Sequence, residues 1–211
     1  DLDLPETVFA GEGTWEWTEA YDHTCSSDFA DYGTDGMYSA TINNLATVTG
    51  SSGDYDEASA STTYTCYAPV VSKGADTEWF RDYTWDITKD WDGSYSLNAG
   101  ESVIHDYEVT LNQHVNDHGY RAFGSISVYN AALGPMTVLL SDSLSDGTPV
   151  TITGCSGVDV VFADPSLTIP AGGTATCAYS VDLPGNSDLT NWATAALNGI
   201  PFSASAAVDF G

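Results

Sequence analysis

The sequence predicts an all-β protein built as two antiparallel β-sandwich domains. Two observations carry this reading. Apolar and polar residues alternate with period two in segment after segment, each bounded by Gly, Asp, Asn or Ser, whereas helical periodicity is hard to find anywhere. The 211 residues are 42% hydrophobic and 12% aromatic, enough apolar material for one large or two small cores.

Residues 13–18, 36–49 and 57–66 alternate as a first β-rich group. Ala68, Pro69 and the segment to Asp76 form the seam, which places the domains at residues 1–69 and 70–211. The second group opens at residues 83–88, where Tyr83, Trp85 and Ile87 share one face and Thr84, Asp86 and Thr88 the other. Asp90, Trp91, Asp92 and Gly93 then read as a turn. Further strands are expected at 103–111, 121–129, 137–140, 150–154, 166–169, 174–181, 191–197 and 201–210, a spacing that suits a sandwich.

Charge narrows the partners. Four Lys and Arg against 30 Asp and Glu give a formal net charge of −26. Lys73, Arg81, Lys89 and Arg121 are too sparse to neutralise a run of phosphates, so nucleic acid and anionic membrane surfaces are excluded as partners. No apolar run reaches the roughly 18 residues of a membrane span, so no membrane insertion is expected. The chain opens on Asp1, which reads as a processed form whose leader has been removed. Cys25 and Cys66, then Cys155 and Cys177, lack the spacing of a zinc or redox site and suit disulfides in a secreted, cell-surface protein. Pairing within each region is the simplest of the three connectivities that four cysteines allow, and spacing does not choose among them.

The segments YTWDITKDWDGSYSLNAGESVIHDYEVTL, GYRAFGSISVYNAALGPMTVLLSDSLSDGTPVTITGC and IPAGGTATCAYSVDLPGNSDLTNWATAALNGIPFSASAAVDF stand in a telling order. With Trp85, Ile87 and Lys89 on one strand, the LSDG turn before Cys155 and the AGGTATCAY strand carrying Cys177, residues 70–211 resemble repeated β-sandwich modules of bacterial and archaeal surface proteins. Those modules are prealbumin-like or immunoglobulin-like, in the style of DUF11-type repeats. The resemblance implies a structural and adhesive role and transfers no catalytic residue. Residues 36–66 look similar to the trailing half of such a module without its front half, so the first domain is either divergent or incomplete and open to strand exchange.

No nucleophile elbow, zinc-protease helix, P-loop or dinucleotide fingerprint occurs, and the chain does not read as an enzyme. His114 and His118 stand four apart around Asp117, but the segment runs into Gly119 and reads as a polar hairpin tip rather than a transition-metal site. Calcium is the better metal candidate, because it takes hard oxygens gathered on loops. Asp28, Asp31 and Asp35 lie on one such loop, Asp54, Asp56 and Glu57 on a second, and Asp90 and Asp92 on a third. On the third, Asp90, Asp92, Ser94, Ser96, Asn98 and Glu101 match the 1, 3, 5, 7, 9 and 12 positions of a calcium loop, yet Tyr95 replaces its required Gly. Ordinary turn chemistry is the alternative for all three. Trp15 and Trp17 on one strand face, with Trp79 and Trp91 near turns, raise a cell-surface glycan as ligand, against the commoner role of Trp in a sandwich core.

Both ends alternate cleanly. Leu2 and Leu4, followed by Val8, mark one assembly strand; Phe202, Ala204, Ala206 and Val208 mark another. The C-terminal strand is expected to complete its own sandwich, while the N-terminal segment is the better candidate for addition to the next subunit. The function expected from all this is a structural subunit of an extracellular filament or surface layer, self-assembling head to tail by strand addition and stabilised by calcium or salt. The alternative is a monomeric adhesin or carbohydrate-binding module.

Overall fold

The structure, a computed structural model, describes Thr14, Ala20 and residues 22–211. Its described residues hold eleven strands, all paired antiparallel, and one 3-10 turn at Phe29–Asp31. The strands are β1 Met37–Thr49, β2 Tyr55–Tyr67, β3 Pro69–Asp90, β4 Glu108–Asn130, β5 Met136–Leu144, β6 Thr151–Ser156, β7 Val161–Ala163, β8 Ser166–Ile169, β9 Thr174–Asp182, β10 Leu189–Leu197 and β11 Ile200–Val208. The all-β reading stands, in sheets of two, four and five strands.

A four-stranded sheet in the order β3-β4-β9-β6 and a five-stranded sheet in the order β11-β10-β5-β8-β7 enclose one core. Ile126 and Val128 on β4 and Ala175 and Tyr179 on β9 meet Val138 and Leu140 on β5, Leu167 and Ile169 on β8, and Ala193 and Ala195 on β10. On β5 the burial alternates without a break, so one face is core and the other solvent. On β11, Phe202 and Val208 are buried and Ala204 and Ala206 half-buried, and the strand pairs with β10 along its length. The C-terminal strand thus closes its own sandwich.

Before residue 69 the described residues form one hairpin rather than a second two-sheet sandwich. The reason lies in composition. β1 and β2 are dominated by Thr, Ser, Ala and Asn, whose small side chains cannot fill a core between two layers. Hydroxyl pairs across the ladder, Ser39 with Thr65 at 2.8 Å and Thr41 with Thr63 at 2.9 Å, hold one face. At its foot the hairpin shares a small core of Tyr32, Cys66, Ala68 and Phe202 with β11. Ala68 alone separates β2 from β3, and both it and Pro69 are buried.

A second correction concerns β4. The separate strands expected at 103–111 and 121–129, with a hairpin tip between them, are one strand from Glu108 to Asn130. Gly119, taken as a turn residue, sits at φ +67° opposite a register shift between Glu78 and Phe80. It makes a bulge, in which one extra residue is absorbed and the strand continues. The Phe80 ring covers it, and a Cβ there would stand 2.8 Å from that ring.

Candidate assembly surface

Only the first part of β3 and the last part of β4 belong to the sandwich. Beyond Arg121, β4 has lost its partner β9 and pairs with β3 alone, so residues 80–90 and 108–118 form a two-stranded ribbon running out from the body. Its register sorts the side chains. Tyr83 faces Val115, Trp85 faces Gln113, Ile87 faces Leu111 and Lys89 faces Val109, all on one side. Asp82, Thr84, Asp86, Thr88, Asn112, His114 and Asn116 take the other.

The first face is apolar and uncovered: Trp85 is 58% exposed, Ile87 68% and Leu111 60%, and Tyr83, Val109 and Val115 are exposed as well. Isolated two-stranded ribbons are marginal in water, and contiguous apolar patches mark contact surfaces. At the root of this face Arg81 donates from Nε and a terminal nitrogen to both oxygens of Asp117, at 2.6 and 2.8 Å. That fork raises the Arg81 pKa and holds the Asp117 carboxyl below its usual range. The half of this face on β3 was legible from alternation; the half on β4 was missed because His114 and His118 drew attention to a tip.

The two histidines stand on the polar side of the same strand. Residues four apart on a strand are separated by about 13 Å, too far for one metal. His114 Nε2 lies 2.8 Å from Asp86 Oδ2, and His118 Nε2 lies 3.7 Å from Asp82 Oδ2. Neither pair has a third ligating group, and no cluster of three or more His, Cys, Asp or Glu forms among the described residues.

The acidic loops are occupied with their own turns. Asp28 accepts from Ala30 N–H at 2.9 Å and caps the 3-10 turn, and Asp31 accepts from Ser26. Asp35 accepts from Met37 N–H, Asp54 from Ser52, and Asp56 from Glu57 N–H. Asp90 ends β3 and Asp92 lies in the following loop, where Glu101 accepts from Asn98 N–H at 2.8 Å, a bond that lowers its pKa.

That loop, residues 91–107 at the far end of the ribbon, gathers aromatic rings. Trp91 and Tyr95 stack at 5.7 Å, His105 lies 5.0 Å from Trp91 and 4.6 Å from Tyr95, and Lys89 sits 3.8 Å from the centre of Tyr107. Trp79 instead stacks on Tyr120 at 6.3 Å, with the Arg81 guanidinium 4.6 Å above its ring. Leu2, Leu4, Val8, Trp15 and Trp17 lie outside the described residues.

Two disulfides join Cys25 to Cys66 and Cys155 to Cys177, with no free cysteine. They point to an oxidising, extracellular environment. The first ties the segment before the hairpin to the end of β2; the second crosslinks directly opposed residues of β6 and β9. Compared with protein-family models and with curated proteins, the sequence matches none.

Proposed function

We propose that this chain is a structural subunit of an extracellular filament or surface layer, and that what covers the ribbon is a second copy of the chain. The observation that carries this reading is the uncovered apolar face formed by Tyr83, Trp85 and Ile87 with Val109, Leu111 and Val115. Charge favours a copy as the occupant. Lys89 stands on this face and Arg81 at its root, so the ribbon offers cations to the acidic surface of a second copy, which carries 30 Asp and Glu, while the net charge of −26 on each copy makes the contact depend on screening by salt or calcium. The open edges of β1–β2 and of the ribbon present backbone groups suited to strand addition, which gives head-to-tail rather than closed assembly. The prealbumin-like or immunoglobulin-like surface module that residues 70–211 resemble agrees with such a role, with the N-terminal segment as the exchanged strand.

Calcium or salt enters as a screen for the acids. Going from about 1 M to about 0.01 M salt lengthens the screening distance from about 3 Å to about 30 Å. The melting temperature is therefore expected to fall on dilution of salt; a constant value would mean that self-repulsion is not a significant cost to the fold. The assembly test is negative-stain electron microscopy with light scattering, with calcium and after chelation. Uniform fibres are the expected result, and their loss on chelation would put calcium at the joint. A monomer in both conditions overturns the reading.

One observation favours a second reading. The rings of Trp91, Tyr95, His105 and Tyr107 cluster at the end of the ribbon, with Trp91 and Tyr95 partly open to solvent, an arrangement that suits stacking on a sugar face. A monomer retained on a glycan array, with retention lost in Trp91→Ala, would support an adhesin or carbohydrate-binding module instead.

A further inference from the structure

The inward positions of β5 read Met136, Val138, Leu140, Asp142 and Leu144, and one of these five is an acid. Its Oδ2 lies 2.7 Å from Lys73 Nζ, with both side chains wholly shielded from solvent. Lys73 reaches it from β3, in the opposite sheet. Asn191, fully buried on β10, is the diagonal neighbour of Asp142, since Ala193 pairs with Asp142 and Asn191 with Leu144. It lies against both the Asp142 carboxyl and the Tyr179 hydroxyl. Yet Asn191 Nδ2, Asn191 Oδ1 and Asp142 Oδ1 each lack a hydrogen bond.

Unsatisfied buried amides are rare because they are costly, and the molecule holds a contrast. Asn130, equally buried, donates to the carbonyls of Gly134, Ile169 and Pro170 and accepts from Ala132 N–H. Asn191 instead shares two neighbours, Asp142 and Tyr179, with the Lys73 amine. Lys73 Nζ is 3.5 Å from the centre of the Tyr179 ring, whose hydroxyl donates to the Gly74 carbonyl at 2.8 Å. Gly124 permits this: a Cβ there would stand 2.3 Å from that carbonyl oxygen and 3.0 Å from the Tyr179 hydroxyl. Burial depresses the Lys73 pKa and raises that of Asp142, against the ion-pair contact that opposes both shifts. It also pushes the Tyr179 hydroxyl up to about 12. Both shifts act against the charged forms of the pair.

We propose that Lys73 and Asn191 join in an intramolecular amide bond between the two sheets, with Asp142 as the catalytic acid that moves the protons. The unprotonated Nζ attacks Cγ of the Asn191 carboxamide while the Asp142 carboxyl protonates its oxygen. The resulting carboxylate takes a proton from Nζ in the tetrahedral adduct and delivers it to Nδ2. The Cγ–Nδ2 bond breaks, ammonia leaves, and the proton on oxygen returns to Asp142 as the new carbonyl forms. Amine plus carboxamide become secondary amide plus ammonia, with no change of oxidation state and no cofactor. The product replaces the buried amine and the unpaired carboxamide by a neutral link that ties β3 to β10, with Asp142 left beside it as the protonated acid.

Intact-mass spectrometry of the full chain, denatured and with its disulfides reduced, tests this. The expected mass is about 17 Da below that of the sequence, the loss of one ammonia. Digestion should then yield one branched peptide containing Lys73 and Asn191. The full sequence mass overturns the proposal, as does a loss of about 18 Da with Lys73 joined to Asp142, which would make that acid the acyl donor through loss of water. Asn191→Ala and Asp142→Ala should each restore the full mass of their own sequence. A folded Asp142→Ala protein that still loses ammonia removes the acid from the mechanism, and the wild-type mass decides the bond even where a variant fails to fold.

Discussion

Serine at both Ile87 and Leu111 is expected to lower the affinity of the protein for itself by about three orders of magnitude and to leave its melting temperature unchanged. The two residues face each other across the ribbon and are largely solvent-exposed in the single molecule, so the fold gains little from them. In an assembled joint each would be buried, contributing about 1.5–3 kcal/mol of apolar transfer free energy. Two such losses total about 4 kcal/mol, and each 1.4 kcal/mol is tenfold in association. Serine avoids placing like charges opposite each other, which would disturb the ribbon itself. Sedimentation velocity on the I87S/L111S protein gives the answer. Assembly at the wild-type concentration would show that the ribbon face is not the joint.

Phe202→Ala is expected to destabilise the monomer by about 3–5 kcal/mol. Phe202, in the small core at the foot of the hairpin, is the largest fully buried side chain among the described residues, edge-on to Tyr32 at 6.1 Å and to Phe29 at 5.7 Å. Its removal leaves a cavity between β11 and the Cys66 end of β2, where the neighbours are held by a disulfide and cannot collapse inward. For a domain of this size the loss corresponds to a drop of about 10 °C in melting temperature. Limited proteolysis should show residues 22–67 cut before the sandwich. A change below about 1 kcal/mol would mean that the hairpin is anchored by the disulfide alone.

Much of the fold was legible because alternation in strands facing a core is a strong signal. The reading of residues 166–169 coincides with β8, and those of 174–181, 191–197 and 201–210 come within two residues of β9, β10 and β11. β4 was broken in the reading because glycine after a polar stretch suits a turn as well as a bulge, and only the pairing partner distinguishes them. For residues 36–66 alternation located both strands, and the hairpin they form agrees with an incomplete module rather than a full second sandwich, because rows of Thr and Ser side chains do not fill a core between two layers. The sequence reading did not find the buried lysine. Its signal was present: β5 places an acid in an otherwise apolar row, β10 places Asn191 in a row with Ala193 and Ala195, and Lys73 follows Pro69 and Val71 at the inward spacing. Each departure passes as ordinary in isolation, and only the sandwich brings the three together.

The placement of the cations has a consequence for survival outside a cell. Lys73, Arg81 and Lys89 lie on β3 and Arg121 on β4, all inside paired strands and none on a loop. Proteases require a few residues of extended, unpaired chain, which loops supply and paired strands withhold. A trypsin-like enzyme therefore meets a molecule whose accessible turns carry no cleavage site, and the 90 residues from Ala122 to Gly211 offer it nothing even when unfolded.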